Sequence, residues 1–196
     1  MPRLPLEEHL RQSARLIEAM AGFPSAPQTD RAVQKIVHAF RHHKPMLVCG
    51  NGGSAADAMH IAGELVGRFL KERPALKCIA LTADSAILTA WSNDVGYDTV
   101  FARQVEAYGE TGGILLGLST SGNSANIVEA FKTARMLEMT TIALTGEGGG
   151  KLAQHSDILI DTPSKHTPYI QQIHLCLYHY ICEAVEEAFT QTSRAA

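Results

Sequence analysis

The stretch CGNGGSAADAMHIAGE, residues 49–64, predicts more about the fold than any other part of the chain. The apolar run 46–49 that leads into it is typical of a buried strand, and the alanine-rich segment that follows is typical of a helix. Between them lies the turn GNGGS, residues 50–54. A glycine turn that joins a strand to a helix presents free backbone N–H groups and the positive end of the helix dipole. The segment therefore predicts an anion site at the start of this helix.

The same helix carries His60 and Glu64. Four residues separate them, so both side chains lie on one helical face. An imidazole and a carboxylate in this arrangement can bind a metal ion or transfer protons. A surface ion pair is the other interpretation, and the spacing alone leaves both open.

Short apolar runs alternate with helical patterns along the rest of the chain. The predicted strands are residues 46–49, 78–81, 114–118, 141–144 and 158–160. The predicted helices between and after them are residues 54–69, 85–92, 99–107, 124–136 and 167–189. Apolar strands that alternate with helices are typical of a parallel sheet covered on both faces. The sequence therefore predicts an α/β fold.

Two amphipathic helices are predicted ahead of the first strand. One apolar stripe at helical spacing consists of Leu6, Leu10, Ala14, Ile17 and Ala21. A second helix is predicted from Asp30, with Asp30 as its N-cap. We expect these helices, residues 1–43, to form an arm of the same domain as residues 44–196, packed on that domain or on a partner subunit.

Length and composition indicate one globular domain. The chain has 196 residues, of which 45% are hydrophobic and 19% are charged. A formal net charge of −3 gives no electrostatic reason to expect nucleic-acid binding. No apolar run approaches the ~20 residues of a membrane span, and the N-terminus lacks the apolar core of a signal peptide. We therefore expect a cytoplasmic protein with reduced cysteines that binds neither nucleic acid nor membranes.

A second polar turn, STSGNS at residues 119–124, follows the third predicted strand and precedes a helix. Its hydroxyls and N–H groups can surround an anion. Neither polar turn contains a lysine, so a P-loop nucleotide site is unsupported, and the absence of G-x-G-x-x-G argues against a dinucleotide. Each turn alone also fits a simple helix cap. Because ligands of parallel sheets bind beyond the carboxyl ends of the strands, the two turns together predict a binding site.

Two further turns lie near predicted strand or helix ends. Asn93 and Asp94 form a third polar point, for which a helix C-cap by Asn93 is the alternative interpretation. The segment GEGGG, residues 146–150, is interpreted as a structural turn.

The last predicted helix is apolar except for a polar cluster. Its polar and aromatic members are Tyr169, Gln171, Gln172, His174, Tyr178, His179 and Tyr180. Such groups lower stability unless they are hydrogen-bonded or functional, and a lone histidine here also fits a satisfied core residue. Gln171 and His179 lie within ~80° around the helix axis but about 12 Å apart along it. Both can reach one metal ion only from opposite sides of it, from a distorted helix, or from two subunits.

Together these segments resemble the bacterial phosphoheptose isomerases, a family with the sugar isomerase (SIS) fold. The matching segments are GNGGSAADAMHIAGELVGRF (50–69), LTAWSNDVGYDTVFARQVEA (88–107), LSTSGNSANIVEAF (118–131), ALTGEGGG (143–150) and IQQIHLCLYH (170–179). STSGNS is typical of the fold in general. The combination of H-x-x-x-E with Q-x-x-H-x-x-x-x-H points to the isomerases.

The resemblance implies a three-layer α/β/α sandwich with a five-stranded parallel sheet, preceded by helices. It also implies a homotetramer with active sites at subunit interfaces and one zinc ion per subunit. The substrate-binding residues that it implies are Asn51, Gly52, Gly53, Glu64, Asn93, Asp94, Ser119, Thr120, Ser121, Ser124 and Gln171. The implied zinc ligands are His60, Glu64, Gln171 and His179. Glu64 and His179 are also the implied acid–base pair.

The implied reaction converts sedoheptulose 7-phosphate to D-glycero-D-manno-heptose 7-phosphate through an enediol(ate), as the first step of nucleotide-activated heptose biosynthesis. A carboxylate and an imidazole on opposite sides of the reacting carbons suit the proton transfers, and zinc suits the negative charge on the oxygens. Burial raises the pKa of a glutamate base whereas zinc lowers it, so the sequence does not decide which residue of the pair is the base. The native metal and the use of the product, in lipopolysaccharide, capsule or another conjugate, also stay open.

Two alternatives share the fold. A non-catalytic tetramer that regulates by binding the replication initiator keeps the polar turns but tends to lose the acidic residue of the H-x-x-x-E pair. A hexosamine-phosphate isomerase domain or an amino-sugar-acid phosphate etherase is usually longer and lacks the zinc set. The presence of both Glu64 and His179 favours the phosphoheptose isomerase.

Overall fold

Five parallel strands form the centre of the structure, a computed structural model that describes residues 4–190. They are β1 (Met46–Gly50), β2 (Cys78–Ala80), β3 (Ile114–Ser119), β4 (Thr140–Thr145) and β5 (Ile158–Asp161). Their order in the sheet is β2-β1-β3-β4-β5, with every neighbouring pair parallel. The predicted parallel sheet is confirmed, and each predicted strand lies within a residue of an observed one.

Seven α-helices surround this sheet in the described part of the chain. They are α1 (Leu6–Ala21), α2 (Pro27–Arg41), α3 (Gly53–Val66), α4 (Ser85–Asp94), α5 (Val100–Tyr108), α6 (Ala125–Met136) and α7 (Thr167–Thr190). Two 3₁₀ helices, Tyr97–Thr99 and Gly150–His155, complete the regular structure. Helices α2, α3 and α7 pack on one face of the sheet, and α5 and α6 pack on the other, which gives the predicted three layers.

Strand β1 shows why the strand sequences are apolar without alternation. Met46 and Val48 face the core under α2, α3 and α7, while Leu47 and Cys49 face the core under α5 and α6. All five residues of the strand are buried. A strand covered on both faces has no solvent side, so every position favours an apolar residue.

The N-terminal arm is present but differs from the prediction in two respects. Helix α1 has the predicted extent, yet Leu6 and Leu10 of its apolar stripe are 71% and 57% exposed in the single chain. Helix α2 begins at Pro27, not at Asp30, because the fixed φ of proline suits the first helical position. Asp30 is therefore not the N-cap, and its carboxylate accepts a 2.6 Å hydrogen bond from the hydroxyl of Tyr180 on α7.

The helix predicted over residues 54–69 ends earlier, at Val66. The backbone N–H groups of residues 69–71 donate to the carboxylate of Glu186 on α7 and not to helix carbonyls. The helix thus ends with Gly67 as its C-cap, and a distant element holds the backbone that follows. Of the predicted ranges, residues 1–3 and 191–196 lie outside the described part of the chain. Within residues 4–190, no helix is long and apolar enough to cross a membrane.

His174 links α7 to the sheet. Its side chain is fully buried, and its Nε2 lies 3.2 Å from the carbonyl oxygen of Thr145 at the end of β4. Burial lowers the pKa of this imidazole to about 4, and the bond to the carbonyl offsets only part of that effect. The histidine is therefore neutral in the folded protein at neutral pH. It is a core residue, but only Nε2 is hydrogen-bonded, because Nδ1 is buried without a partner among residues 4–190.

The depressed pKa of His174 makes stability dependent on pH. The unfolded chain binds a proton at this histidine near pH 6.5, whereas the folded chain does so only near pH 4. Its contribution to the free energy of unfolding is thus complete above pH 6.5 and declines as the pH falls toward 4, by roughly 3 kcal/mol in total. Urea unfolding across this range should show a steeper decline for the wild type than for His174→Gln, which can donate to the same carbonyl but does not titrate. Equal slopes would contradict the assignment.

Candidate active site

The two polar turns lie side by side at the carboxyl edge of the sheet. Gly50 at the end of β1 is paired with Leu118 of β3, so the two turns that follow these strands begin at the same edge of the sheet. Strand order reverses between these two strands, because β1 is followed by β2 on one side and β3 lies on the other. Open parallel sheets bind their ligands at such a point. The two turns GNGGS and STSGNS are therefore adjacent, at the edge of the sheet where a binding site is predicted.

The first turn has a backbone that requires glycine and a close neighbour from α7. Gly52 has φ +58°, where residues other than glycine are strained. A Cβ on Gly53 would lie 2.5 Å from Nε2 of Gln171, so the side-chain amide of Gln171 lies directly over this turn. The side chain of Gln171 thus lies at the N-terminal end of α3, although the residue itself is part of α7.

Asn51 is held in place by two polar partners. Its side-chain amide forms a reciprocal pair with the amide of Asn126 on α6, with distances of 3.0 and 2.9 Å. The hydroxyl of Tyr97 donates to Oδ1 of Asn51 at 2.8 Å. The sequence reasoning did not select Asn126 or Tyr97, because nothing local relates these positions to residue 51. These partners fix the orientation of the Asn51 side chain.

The second turn is built from hydroxyl groups. Ser119 Oγ and Ser124 Oγ lie 3.1 Å apart across it, and Ser121 Oγ accepts a 3.1 Å bond from the backbone N–H of Asn123. Ser121 is exposed, whereas Ser119 is buried. Ser124 precedes the first turn of α6, where helical N–H groups point outward. The arrangement offers neutral donors to an anion.

The backbone of the glycine segment 146–150 packs against the backbone of the second turn. The N–H of Gly146 donates to the carbonyl of Thr120, and the N–H of Leu152 donates to the carbonyl of Gly122. A Cβ on Gly122 would lie 2.0 Å from the carbonyl oxygen of Gly149, so the two backbones are in direct contact. This role agrees with the structural turn predicted for the segment.

A second group of polar side chains lies farther along α3, where it faces α7. His60 Nε2 and Glu64 Oε1 are 3.0 Å apart, and their side chains are 42% and 21% exposed. The ring of His179 lies 5.1 Å from that of His60, nearly perpendicular to it. The structure therefore brings His60, Glu64 and His179 together within one chain, which the helical spacing of the first pair alone did not establish.

Tyr178 contacts both His60 and Asp57. The hydroxyl of Tyr178 lies 3.0 Å from His60 Nδ1 and donates to Asp57 Oδ1 at 3.3 Å. Burial raises the pKa of Asp57, and the hydrogen bond from Tyr178 and the nearby His60 counteract that only in part. Burial is also the main reason that the pKa of Tyr178 is raised. When Tyr178 donates to Asp57 it accepts from His60 Nδ1–H, which leaves the lone pair of Nε2 facing Glu64.

The remaining predicted site residues lie apart from this group. Gln171 is over Gly53, about two turns of α7 before His179, as the helix geometry requires. Asn93 and Asp94 are exposed at the end of α4 and hydrogen-bond to each other at 2.9 Å. Helix α4 continues through Asp94 with Val95 as its C-cap, so Asn93 is not the cap. Among residues 4–190, no three histidine, cysteine, aspartate or glutamate side chains are arranged to hold a metal ion.

Comparison with known proteins adds relatives across nearly the whole chain. A family model described as "SIS domain" matches residues 8–146. A phosphoheptose isomerase from Roseiflexus sp. (strain RS-1) is 50% identical over 161 residues, which are 82% of this chain and 82% of the relative. A phosphoheptose isomerase from Bradyrhizobium sp. (strain BTAi1 / ATCC BAA-1182) is 48% identical over 187 residues, which are 95% of this chain and 94% of the relative. The solved structure of a phosphoheptose isomerase from Neisseria gonorrhoeae is similar with a TM-score of 0.87 and 39% identity, covering 93% of this chain and 97% of that chain.

Two glycine-to-alanine substitutions in the first turn should have different effects, one on the free energy of unfolding and the other on the position of Gln171. Gly50→Ala would place a Cβ 2.3 Å from the backbone oxygen of Ser54, so it should lower the free energy of unfolding by about 1–3 kcal/mol. Gly53→Ala meets only the end of the flexible Gln171 side chain, so it should change stability by no more than about 0.5 kcal/mol while it displaces that amide. Urea unfolding measures the first effect, and the side-chain amide resonance of Gln171 reports the second. An unshifted resonance in Gly53→Ala would contradict the placement of Gln171.

Proposed function

Because the chain belongs to the SIS domain family and, within it, to the phosphoheptose isomerases, which are aldose–ketose isomerases, we propose that it converts sedoheptulose 7-phosphate to D-glycero-D-manno-heptose 7-phosphate. One observation carries this proposal. Two adjacent polar turns suited to a phosphate, one of which leads into α3, occur together with a group of His60, Glu64 and His179 farther along α3 that is suited to proton transfer. An isomerase of a phosphorylated sugar needs both functions.

The polar turns bind the substrate in this proposal. Backbone N–H groups at the start of α3 and α6, together with the hydroxyls of Ser119, Ser121 and Ser124, surround the phosphate. Asn51, Gly52, Gly53 and Thr120 complete that part of the site. Asn93 and Asp94 are proposed to contact the sugar. Binding energy from the phosphate holds the open-chain sugar in register with the reacting groups.

Glu64 and His179 perform the proton transfers. One of the two removes the C1 proton of the open-chain ketose, and the electron pair moves to give the enediol(ate). The other delivers a proton to C2, and a proton passes between the oxygens on C1 and C2, so that the aldose is formed without net gain or loss of atoms. The ring contact between His60 and His179 and the 3.0 Å distance from His60 Nε2 to Glu64 Oε1 support a shared reaction centre for the pair.

We also propose one zinc ion per subunit, held by His60, Glu64, Gln171 and His179. The nitrogen and oxygen donors match zinc chemistry, and the lone pair that His60 Nε2 directs at Glu64 when Tyr178 donates to Asp57 is the arrangement a cation would use. When bound, zinc would stabilise negative charge on the sugar oxygens. Because Gln171 lies over Gly53, and because no three histidine, cysteine, aspartate or glutamate side chains among residues 4–190 are arranged to hold a metal ion, the complete donor set calls for a second copy or for movement along α7.

A homotetramer with its active sites at subunit interfaces is the assembly that we propose. Large apolar side chains are exposed on α1 and beside the histidine group. They are Leu6, Leu10, Ile17, Met59, Val66 and Leu70. Such a surface on a single chain is typical of a protein interface.

The pathway that this family serves is heptose biosynthesis. The proposed reaction would be its first step, in the cytoplasm, ahead of nucleotide activation. The alternative of a regulator that binds the replication initiator is not favoured, because the chain keeps both members of the acid–base pair and its relatives are named as isomerases.

The acid–base assignment can be tested one residue at a time. Glu64→Gln and His179→Gln each remove a proton-transfer group while they keep a similar size, and each should lower kcat by ~10²–10⁴-fold. The measurement is turnover of sedoheptulose 7-phosphate by each purified variant. Lys132→Gln, which alters an exposed ion pair with Glu129 on α6, serves as the control and should keep wild-type turnover. Near-normal turnover in either site variant would remove that residue from the chemistry.

The reaction and the metal are tested together by chelation. The purified protein should form product from sedoheptulose 7-phosphate, lose that activity after a chelator, and regain it when zinc is added back. Zinc content measured by mass spectrometry, at about one ion per subunit, is the readout that does not depend on activity. Product formation that survives complete removal of the metal would discard zinc but keep the isomerase. No product with zinc present would discard the reaction.

A further inference from the structure

A buried ion pair holds the loop that follows α3. Arg73 lies in this loop, residues 67–77, and Glu186 lies on α7. Their side chains are 0% and 1% exposed, and Arg73 Nε is 3.6 Å from Glu186 Oε1. Removing one partner of a buried pair is costly, since the other is left as an uncompensated charge. Both residues lie outside the set that the family resemblance implies for binding or catalysis.

The carboxylate of Glu186 fixes the backbone of the loop. It accepts hydrogen bonds from the N–H groups of Phe69, Leu70 and Lys71 at 2.8, 2.7 and 2.8 Å. Burial acts to raise the pKa of this carboxyl, but the three N–H donors and Arg73 together outweigh burial and lower it. Glu186 is therefore charged at neutral pH, and three successive residues are tied to α7.

The guanidinium of Arg73 ties the loop to the last turn of α3. Its Nη1 donates to the carbonyls of Gly67 and Pro74 at 3.0 and 3.1 Å, and its Nη2 donates to the carbonyl of Glu64 at 2.6 Å. The planar fork of an arginine can serve several acceptors at fixed angles, which a lysine cannot do. One side chain thus sets the position of the backbone that carries Glu64.

The same loop also contacts the other member of the acid–base pair. The ring of Phe69 packs on the ring of His179 with centroids 5.5 Å apart and an angle of 34° between the planes. Phe69 is one of the residues whose N–H group is held by Glu186. The buried ion pair therefore reaches Glu64 through its carbonyl and His179 through an aromatic ring.

We propose that Arg73 and Glu186 are positioning residues of the isomerase, which hold Glu64 and His179 in their mutual orientation. This inference rests on the function proposed above. Neither side chain contacts the polar turns that bind the phosphate in that proposal, so their role concerns the rate of the chemical step and not the affinity for the sugar phosphate. Small displacements of reacting groups are sufficient for large losses of rate.

Arg73→Lys is the main test variant, because it keeps a positive charge beside Glu186 but loses the fork that serves three carbonyls. With sedoheptulose 7-phosphate and zinc supplied to the full chain, kcat should fall roughly 10- to 100-fold. KM should stay near that of the wild type, since binding of the phosphate is unaffected. Arg73→Met, which also removes the charge, should lower kcat at least as far.

The chain offers a matched control one residue away. Glu187 pairs with Lys71 of the same loop at 3.0 Å, but both side chains are about half exposed, so this pair contributes little. Glu187→Gln should therefore keep the wild-type kcat and KM. Hydrogen exchange at residues 69–71 provides a readout independent of turnover, and it should be faster in Arg73→Lys than in Glu187→Gln.

The outcomes separate this inference from the proposed function. An active wild type with equal kcat in Arg73→Lys and Glu187→Gln would overturn the positioning role alone. A variant that stays folded but shows a raised KM with unchanged kcat would also overturn it, because the pair would then act on binding. An inactive wild type would overturn the proposed function, and this inference with it. If Arg73→Met does not fold, Arg73→Lys decides the question.

Discussion

The parallel pairing of β1 with β3 is the constraint on which the candidate site depends. Strands that run in the same direction end at the same edge, and the pairing of Gly50 with Leu118 places the two polar turns at one level there. This register is fixed by burial, because every residue of both strands is in the core and a shift of one residue would exchange the side chains of the two faces. The helices that start at these turns, α3 and α6, then direct their N-terminal N–H groups to the same region.

Helix α7 supplies polar side chains that the turns at the edge of the sheet do not carry, among them His179. Its polar residues contact different parts of the protein at successive heights, from the sheet at Thr145 to the loop at residues 69–71. Between these contacts lie Tyr178 and His179, which complete the group around His60. These contacts explain most of the polar interruptions in an otherwise apolar helix. The exceptions among residues 4–190 are the side-chain oxygen of Gln172 and Nδ1 of His174, which are buried without a hydrogen-bond partner.

Local patterns were sufficient to predict the strands, most helices, both turns and the His60–Glu64 pair. Each depends on residues close in sequence, whose spacing reports burial or a shared face. Some errors were local, such as the start of α2 at Pro27 and the continuation of α4 past Asn93, whereas other features involve partners far along the chain. The loop after α3 is held by Glu186, more than a hundred residues away, and the orientation of Asn51 is fixed by Asn126 and Tyr97. The position of Gln171 over Gly53 likewise needed the packing of α7 on α3, whereas the separation of Gln171 from His179 along the helix followed from geometry alone.

The continuity of α7 has a consequence for how this protein can change in evolution. Gln171, His174, His179 and Glu186 contact four separate partners from a single unbroken helix, Thr167–Thr190. Inserting or deleting one residue would rotate the rest of the helix by about 100° and shift it by about 1.5 Å. The residues on one side of the insertion or deletion would then lose their contacts together. Single substitutions alter one contact at a time and can be compensated locally. The helix is therefore expected to accept replacement of residues more readily than any change in its length.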